Sequence, residues 1–156
     1  MKIPPPEAPM THFTKVELRF NDFDMLGHLN NTVFFEITDL AKARFMEWLL
    51  KKVDWRHYDL AIVNINCSFY SQIFPDSNVG VFTGVKSIGN SSFVLEQRVV
   101  DWKLSKVFAV TTSVFSAYDR ATLRSKPLPD LLRAHLEESM SIISDFQLLP
   151  PEGKEQ

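Results

Sequence analysis

The 156-residue sequence has one cysteine, Cys67, so no disulfide can form within the chain. That usage fits a reducing compartment, and a cytoplasmic protein is expected. No apolar run reaches the roughly 18 residues needed to cross a bilayer as a helix, so no membrane partner is expected. Neither sign of charge dominates. Seventeen lysines and arginines stand against 19 aspartates and glutamates, a net charge of −2, which gives no global electrostatic case for binding nucleic acid. The opening "MKIPPPEAPMTH" has one lysine and four prolines but lacks the apolar stretch of a secretory signal. Also missing are a GxGxxG fingerprint, a P-loop, an HExxH pair and a nucleophile elbow. The chain has no internal repeat.

What is present is ordinary globular material: 45% hydrophobic and 23% charged residues. A chain of this length can bury a substantial core without disulfides or a structural metal. We expect one domain over residues 13–147, a flexible arm over 1–12 and a flexible tail over 148–156. Residues 13–20 alternate like a strand, with Val16, Leu18 and Phe20 on one side and Lys15, Glu17 and Arg19 on the other. From Thr32 to about Lys51 apolar residues recur at spacings of three and four, which predicts a long helix with a broad apolar stripe. "KKVDWRHYD" is a polar connector. Strands are then predicted over 61–74, 79–87, 93–101 and 106–118, with "PDSN" breaking the first and Gly89-Asn90 as a hairpin turn. A C-terminal helix opens at Pro129 or Asp130 and runs to about Ser144. Short links between consecutive strands favour antiparallel pairing. The expected class is α+β: a long central helix on an antiparallel sheet of about five strands, with a short C-terminal helix.

Most of the polarity that could do chemistry is concentrated in "RFNDFDMLGHLNN", residues 19–31. As an EF-hand loop counted from Asp22 it fails, because Leu26 and Val33 stand at the fifth and twelfth positions, where oxygen ligands are needed. Asp22, Asp24 and His28 have no transition-metal spacing signature, and no metal is expected. A plain turn would use the same residue types. It leaves unexplained why two carboxylates on one side of an extended segment stand just ahead of a helix start. There, unpaired N–H groups could receive an oxyanion, and a like-charged neighbour could tune a base or nucleophile. Asn30 and Asn31 are both candidates for the helix N-cap.

This stretch resembles the signature of the hotdog-fold acyl-CoA thioesterases, the 4-hydroxybenzoyl-CoA thioesterase-like family: R-aromatic-x-D-x-D-x-x-G-H-aliphatic-N-N, followed by the central helix. Arg19, Phe20, Asp22, Asp24, Gly27, His28, Leu29, Asn30 and Asn31 match it. Weaker likenesses follow in "CSFYSQIFPDSNV", "GNSSF" and "LRSKPLP", so the resemblance covers about residues 13–135. It implies a hotdog fold and hydrolysis of acyl- or aryl-CoA thioesters, with coenzyme A entering as part of the substrate and no separate cofactor. It assigns Asp24 as nucleophile or general base, the Asn31 main-chain N–H as an oxyanion donor, and His28 as a positioning group. Asp22 is left as a loop and capping residue. Asn30, Phe34, Ser91, Ser92, Arg124 and Lys126 become candidate substrate contacts. Phe34 stands where the family often has tyrosine.

The resemblance also implies a homodimer, or a dimer of dimers, with active sites between subunits. Two other readings remain open: a thioesterase acting on acyl carrier protein docked on Arg120, Arg124 and Lys126, and a hotdog domain that binds an acyl ligand without turnover. The thirteen phenylalanines are expected mostly in the core, and Cys67 is expected to be a buried small apolar residue.

Overall fold

A computed structural model describes residues 2–51 and 53–142. Strand β1 spans His12–Lys15, and helix α1 spans Asn31–Leu50. Strands β2 (Leu60–Phe69), β3 (Val79–Ile88), β4 (Ser92–Asp101) and β5 (Lys106–Ala117) follow, then helix α2 (Asp130–Met140). The sheet has five strands in the order β1-β3-β4-β5-β2, and every pairing is antiparallel. This is the expected α+β class, with α1 laid across one face of the sheet. The first strand is shorter than the alternation predicts. After Lys15 the chain leaves the ladder and makes a single 3-10 turn over Phe20–Asp22. The expected tail, and the last residues of the expected C-terminal helix, lie outside the described residues.

Helix α1 forms because its apolar residues fall on one side. Val33, Phe34, Ile37 and Ala41 pack with Val79, Val81, Val99 and Ala109 of the sheet. Farther along, Phe45, Met46, Leu49 and Leu50 pack with Phe93, Leu95, Phe115 and the α2 leucines Leu132 and Leu136. A polar tie fixes the helix along its axis. The buried Gln97 amide donates to Thr38 O at 3.0 Å and to Thr83 Oγ1 at 3.2 Å. An amide so buried is stabilising only when bonded, so this pair holds the level of α1, and with it the position of its N-terminus, relative to β4.

The first residues of the chain pack against the sheet. Ala8 and Met10 are buried against Phe82, on the face turned away from α1. Pro9 O lies where a Cβ on Gly84 would have to stand, so the arm's path requires glycine there. The arm also covers the buried pair Arg98–Glu96: Arg98 Nη2 donates to Pro4 O at 2.6 Å, and Glu7 N donates to Glu96 Oε1 at 3.1 Å. His12, assigned to the arm from the sequence, opens β1 and packs on Phe45 and Trp48. Burial lowers its pKa.

The opposite edge is open. Ile62, Val63 and Ile65 of β2 are exposed, and Cys67 is half-buried rather than buried. Phe34, Phe45, Phe82, Phe93, Phe108 and Phe115 are core residues, but Phe20, Phe35, Phe69 and Phe74 are exposed.

Candidate active site

Asp22 and Asp24, two residues apart, have opposite environments. In the 3-10 turn Asp22 points inward and is 4% exposed. Its carboxylate accepts Arg19 N at 2.7 Å, Arg19 Nε at 3.2 Å and Arg19 Nη2 at 2.9 Å. Burial works to raise its pKa. The hydrogen bonds from the Arg19 main chain and guanidinium, with the guanidinium charge, together hold it below the usual carboxylate range. The same guanidinium lies 3.7 Å from Glu36 of α1. Asp22 is therefore a tie between the β1 segment and the loop, and Asn30 N donates to its main-chain oxygen at 2.9 Å.

Asp24 faces outward, because the strand does not continue through it. Phe23 and Leu29 form an isolated antiparallel bridge, and Asp24 N donates to His28 O at 2.8 Å, so residues 24–28 close a tight loop. Gly27, at φ 78°, supplies the left-handed residue this loop needs, and its N–H returns to Asp24 O at 3.0 Å. Asp24 Oδ1 accepts Leu26 N at 2.9 Å and His28 N at 3.0 Å. Two main-chain donors thus grip one oxygen and fix the plane of the carboxylate, while Oδ2 accepts no hydrogen bond among the described residues. The base of the loop is anchored in the core, where Leu29 N donates to Ile73 O at 3.1 Å. The His28 ring stands edge-on to Phe74 at 5.4 Å.

Beside this loop α1 begins. Asn30 is its N-cap residue, although its side chain makes no capping hydrogen bond. The first-turn N–H groups of Asn31 and Thr32 have no acceptor within the helix and sit at the positive end of its dipole. Asp24, His28, Leu29, Asn30, Asn31, Thr32 and Gln72 line one open cavity of about 440 Å³. No lysine or arginine is among these lining residues. Among the described residues no group of three or more His, Cys, Asp or Glu is arranged to hold a metal ion.

The structure therefore brings together Asp24, His28, Asn30 and Asn31 of the residues singled out in the sequence. It does not bring the others to them within this chain. Phe34 is turned into the core, edge-on to Phe69 at 4.8 Å. Ser91, Ser92, Arg124 and Lys126 lie at the other end of α1: Ala117 N donates to Ser91 O at 2.8 Å, Lys126 N donates to Ala117 O at 3.0 Å, and Ala117 packs in the cluster around Phe45 and Leu49. Nothing in the sequence singles out Gln72. It sits in the segment after β2, and a glutamine three residues ahead of a proline carries no signal of its own; only the fold sets it beside Asp24.

Residues 18–136 match the thioesterase-like superfamily. The chain belongs to that superfamily, and its fold is the hotdog fold. It resembles a predicted thioesterase from Bacillus stearothermophilus with a TM-score of 0.73 and 23% identity, over 82% of this chain and 95% of that one. A thioesterase from Thermus thermophilus, complexed with coenzyme A and zinc, aligns with a TM-score of 0.70 and 26% identity, over 80% and 95% of the two chains. Slr0204, a 1,4-dihydroxy-2-naphthoyl-CoA thioesterase from Synechocystis, aligns with a TM-score of 0.74 at 11% identity, over 81% and 95%. The uncharacterized protein YsmA of Bacillus subtilis is 24% identical over 83 residues, and the match spans 53% of this chain and 56% of that protein.

Proposed function

We propose that this superfamily member hydrolyses acyl-CoA or aryl-CoA thioesters to the free acid and coenzyme A, with Asp24 as the reacting carboxylate. The observation that carries the reading is the grip on Asp24: Oδ1 holds two main-chain N–H groups, and the carboxylate shares a cavity with the start of α1. A thioester carbonyl placed there would meet a carboxylate oxygen and first-turn N–H groups together. In one course Oδ2 adds to the carbonyl carbon, the thiolate leaves, and water cleaves the resulting mixed anhydride. In the other Oδ2 takes a proton from water as that water adds. Both give acid and thiol, and the main-chain donors meet the negative charge that forms on the carbonyl oxygen. The solved Thermus thermophilus relative with bound coenzyme A supports the choice of carrier.

Coenzyme A carries phosphates, and the cavity offers no cation for them. A second copy would supply them. The exposed β2 edge, with Ile62, Val63 and Ile65 uncovered, suits antiparallel pairing with itself about a twofold axis. Such pairing sets the start of β2 in one copy beside its end in the other. Asp59, Ser91 and Lys126 cluster at the start of β2 and the end of β5. At the other end Phe69 touches Phe34, and Gln72 follows it into the cavity. Ser91, Ser92, Arg124 and Lys126 of one copy would thereby approach Asp24 of the other. Asp59 already pairs with Arg120 at 2.6 Å and lies 3.8 Å from Lys126. This partial neutralisation favours a small phosphorylated carrier over an acidic carrier protein.

The test is release of free coenzyme A by the purified protein from a panel running from acetyl- to palmitoyl-CoA and including benzoyl-CoA. Turnover of at least one member is expected. Tight binding with no turnover across the panel would instead mark a domain that only holds acyl ligands. A single turnover then separates the two courses: rapid quenching with hydroxylamine traps an acyl–Asp24 anhydride as the hydroxamate if Oδ2 is the nucleophile and traps nothing above the substrate's own reaction if it is a base, and ¹⁸O from labelled water found in Asp24 also marks the nucleophilic course.

A further inference from the structure

We infer that Gln72 is a second oxyanion donor of this site, its side-chain amide N–H meeting the thioester carbonyl oxygen from a segment separate from the helix start. The inference rests on the thioesterase reading of Asp24. Three observations carry it. First, Gln72 lines the same cavity as Asp24, Asn31 and Thr32 although it lies about forty residues farther along the chain. Second, its segment is fastened to the catalytic loop on the residues that follow it: Ile73, fully buried, accepts Leu29 N at 3.1 Å, and Phe74 lies against the His28 ring at 5.4 Å. The Gln72 main chain is thereby held at the cavity wall, and its exposed side chain can reach into the cavity it lines. Third, the cavity has no lysine or arginine, and its one carboxylate, Asp24, is itself negative. With the second copy's cations assigned to the coenzyme A phosphates, charge developing on the carbonyl oxygen falls to the N–H donors that this copy places around the cavity. Of these, the Gln72 amide is the one carried by a long side chain from outside residues 24–32, and a tetrahedral oxyanion is best held by donors from more than one direction.

The experiment uses the full-length protein and the acyl-CoA on which it is most active. Gln72→Ala, Gln72→Glu and Asp24→Ala are compared by kcat, KM and pH profile, with thermal midpoints as a check on folding. Gln72→Ala should lower kcat about ten- to a hundredfold with KM within about threefold, the signature of a contact made in the transition state. Gln72→Glu keeps the shape but replaces the donor by a carboxylate. It should lose at least as much kcat, because a carboxylate cannot donate to the oxyanion and repels it. An unchanged kcat in Gln72→Ala, or a loss confined to KM, with Asp24→Ala inactive, overturns the role of Gln72 and leaves Asp24 standing. Activity retained in Asp24→Ala overturns the reading beneath it.

Discussion

At its N-terminal end α1 faces an open cavity, with first-turn N–H groups that have no helical acceptor and a carboxylate bonded through one oxygen only. At its C-terminal end the same helix sinks Phe45, Met46, Leu49 and Leu50 into a cluster closed by α2. Two arginines there are engaged. Arg133 Nη2 donates to the turn carbonyls Gly89 O at 2.9 Å and Asn90 O at 2.8 Å, and Arg120 pairs with Asp59 at 2.6 Å. One end has the packing and satisfied hydrogen bonds that stabilise a fold. The other leaves first-turn N–H groups and one carboxylate oxygen available. Under the proposed function neither end of one copy would suffice: the first would supply the reacting carboxylate and the N–H donors, and the second the cations for the coenzyme A phosphates.

Apart from loss of the carboxylate itself, the largest expected effect comes from keeping the two ends of separate copies apart. Val63→Lys, on the exposed edge of β2, should give a monomer by light scattering and lower turnover by about a hundredfold or more, because a charged edge resists strand pairing. A monomer with full activity would show that one protomer holds a complete site. A smaller change is expected at the cations. Arg124→Ala combined with Lys126→Ala should raise KM for acyl-CoA about tenfold and leave kcat within about threefold. The matching N-acetylcysteamine thioester, which lacks the phosphates, should be hydrolysed as before. The smallest effect concerns the loop's own tie. Asp22→Asn should lower stability by about 1 to 2 kcal/mol near neutral pH, the scale of a buried charge-assisted hydrogen bond. The native pKa of Asp22 lies below its unfolded value, so its contribution is complete above the usual carboxylate range. The difference between variant and wild type in urea melts should shrink as pH falls through the lowered native value.

Much of this is legible in the chain. The order of elements follows from the change of period between 13–20 and 32–51 and from the short links between later strands. The motif match in 19–31 locates the loop, and the geometry places Asp24, His28, Asn30 and Asn31 together as the spacing suggests. What the chain does not reveal depends on contacts between distant segments. Alternation carries the first strand on to Phe20. It cannot register that Asp22 is drawn inward by Arg19, which is what ends the extended run and turns Asp24 out. Phe34 stands out in sequence for its place in a motif, but a residue four positions into α1 falls on the buried stripe and packs against Phe69. The proline-rich arm reads as loose because its anchors, Arg98 and Glu96, lie some ninety residues away. Gln72 needs the sheet to bring the end of β2 beside the loop.

The measurement that bears most directly on Asp24 is the rate of acyl-CoA hydrolysis by Asp24→Ala, taken beside wild type on protein of unchanged thermal midpoint. Loss of the reacting carboxylate should cost about a thousandfold or more in kcat, roughly 4 kcal/mol in the barrier. The side chain is exposed and its loop is closed mainly by main-chain bonds, so the fold should persist. A variant that folds and turns over within about tenfold of wild type would contradict the assignment.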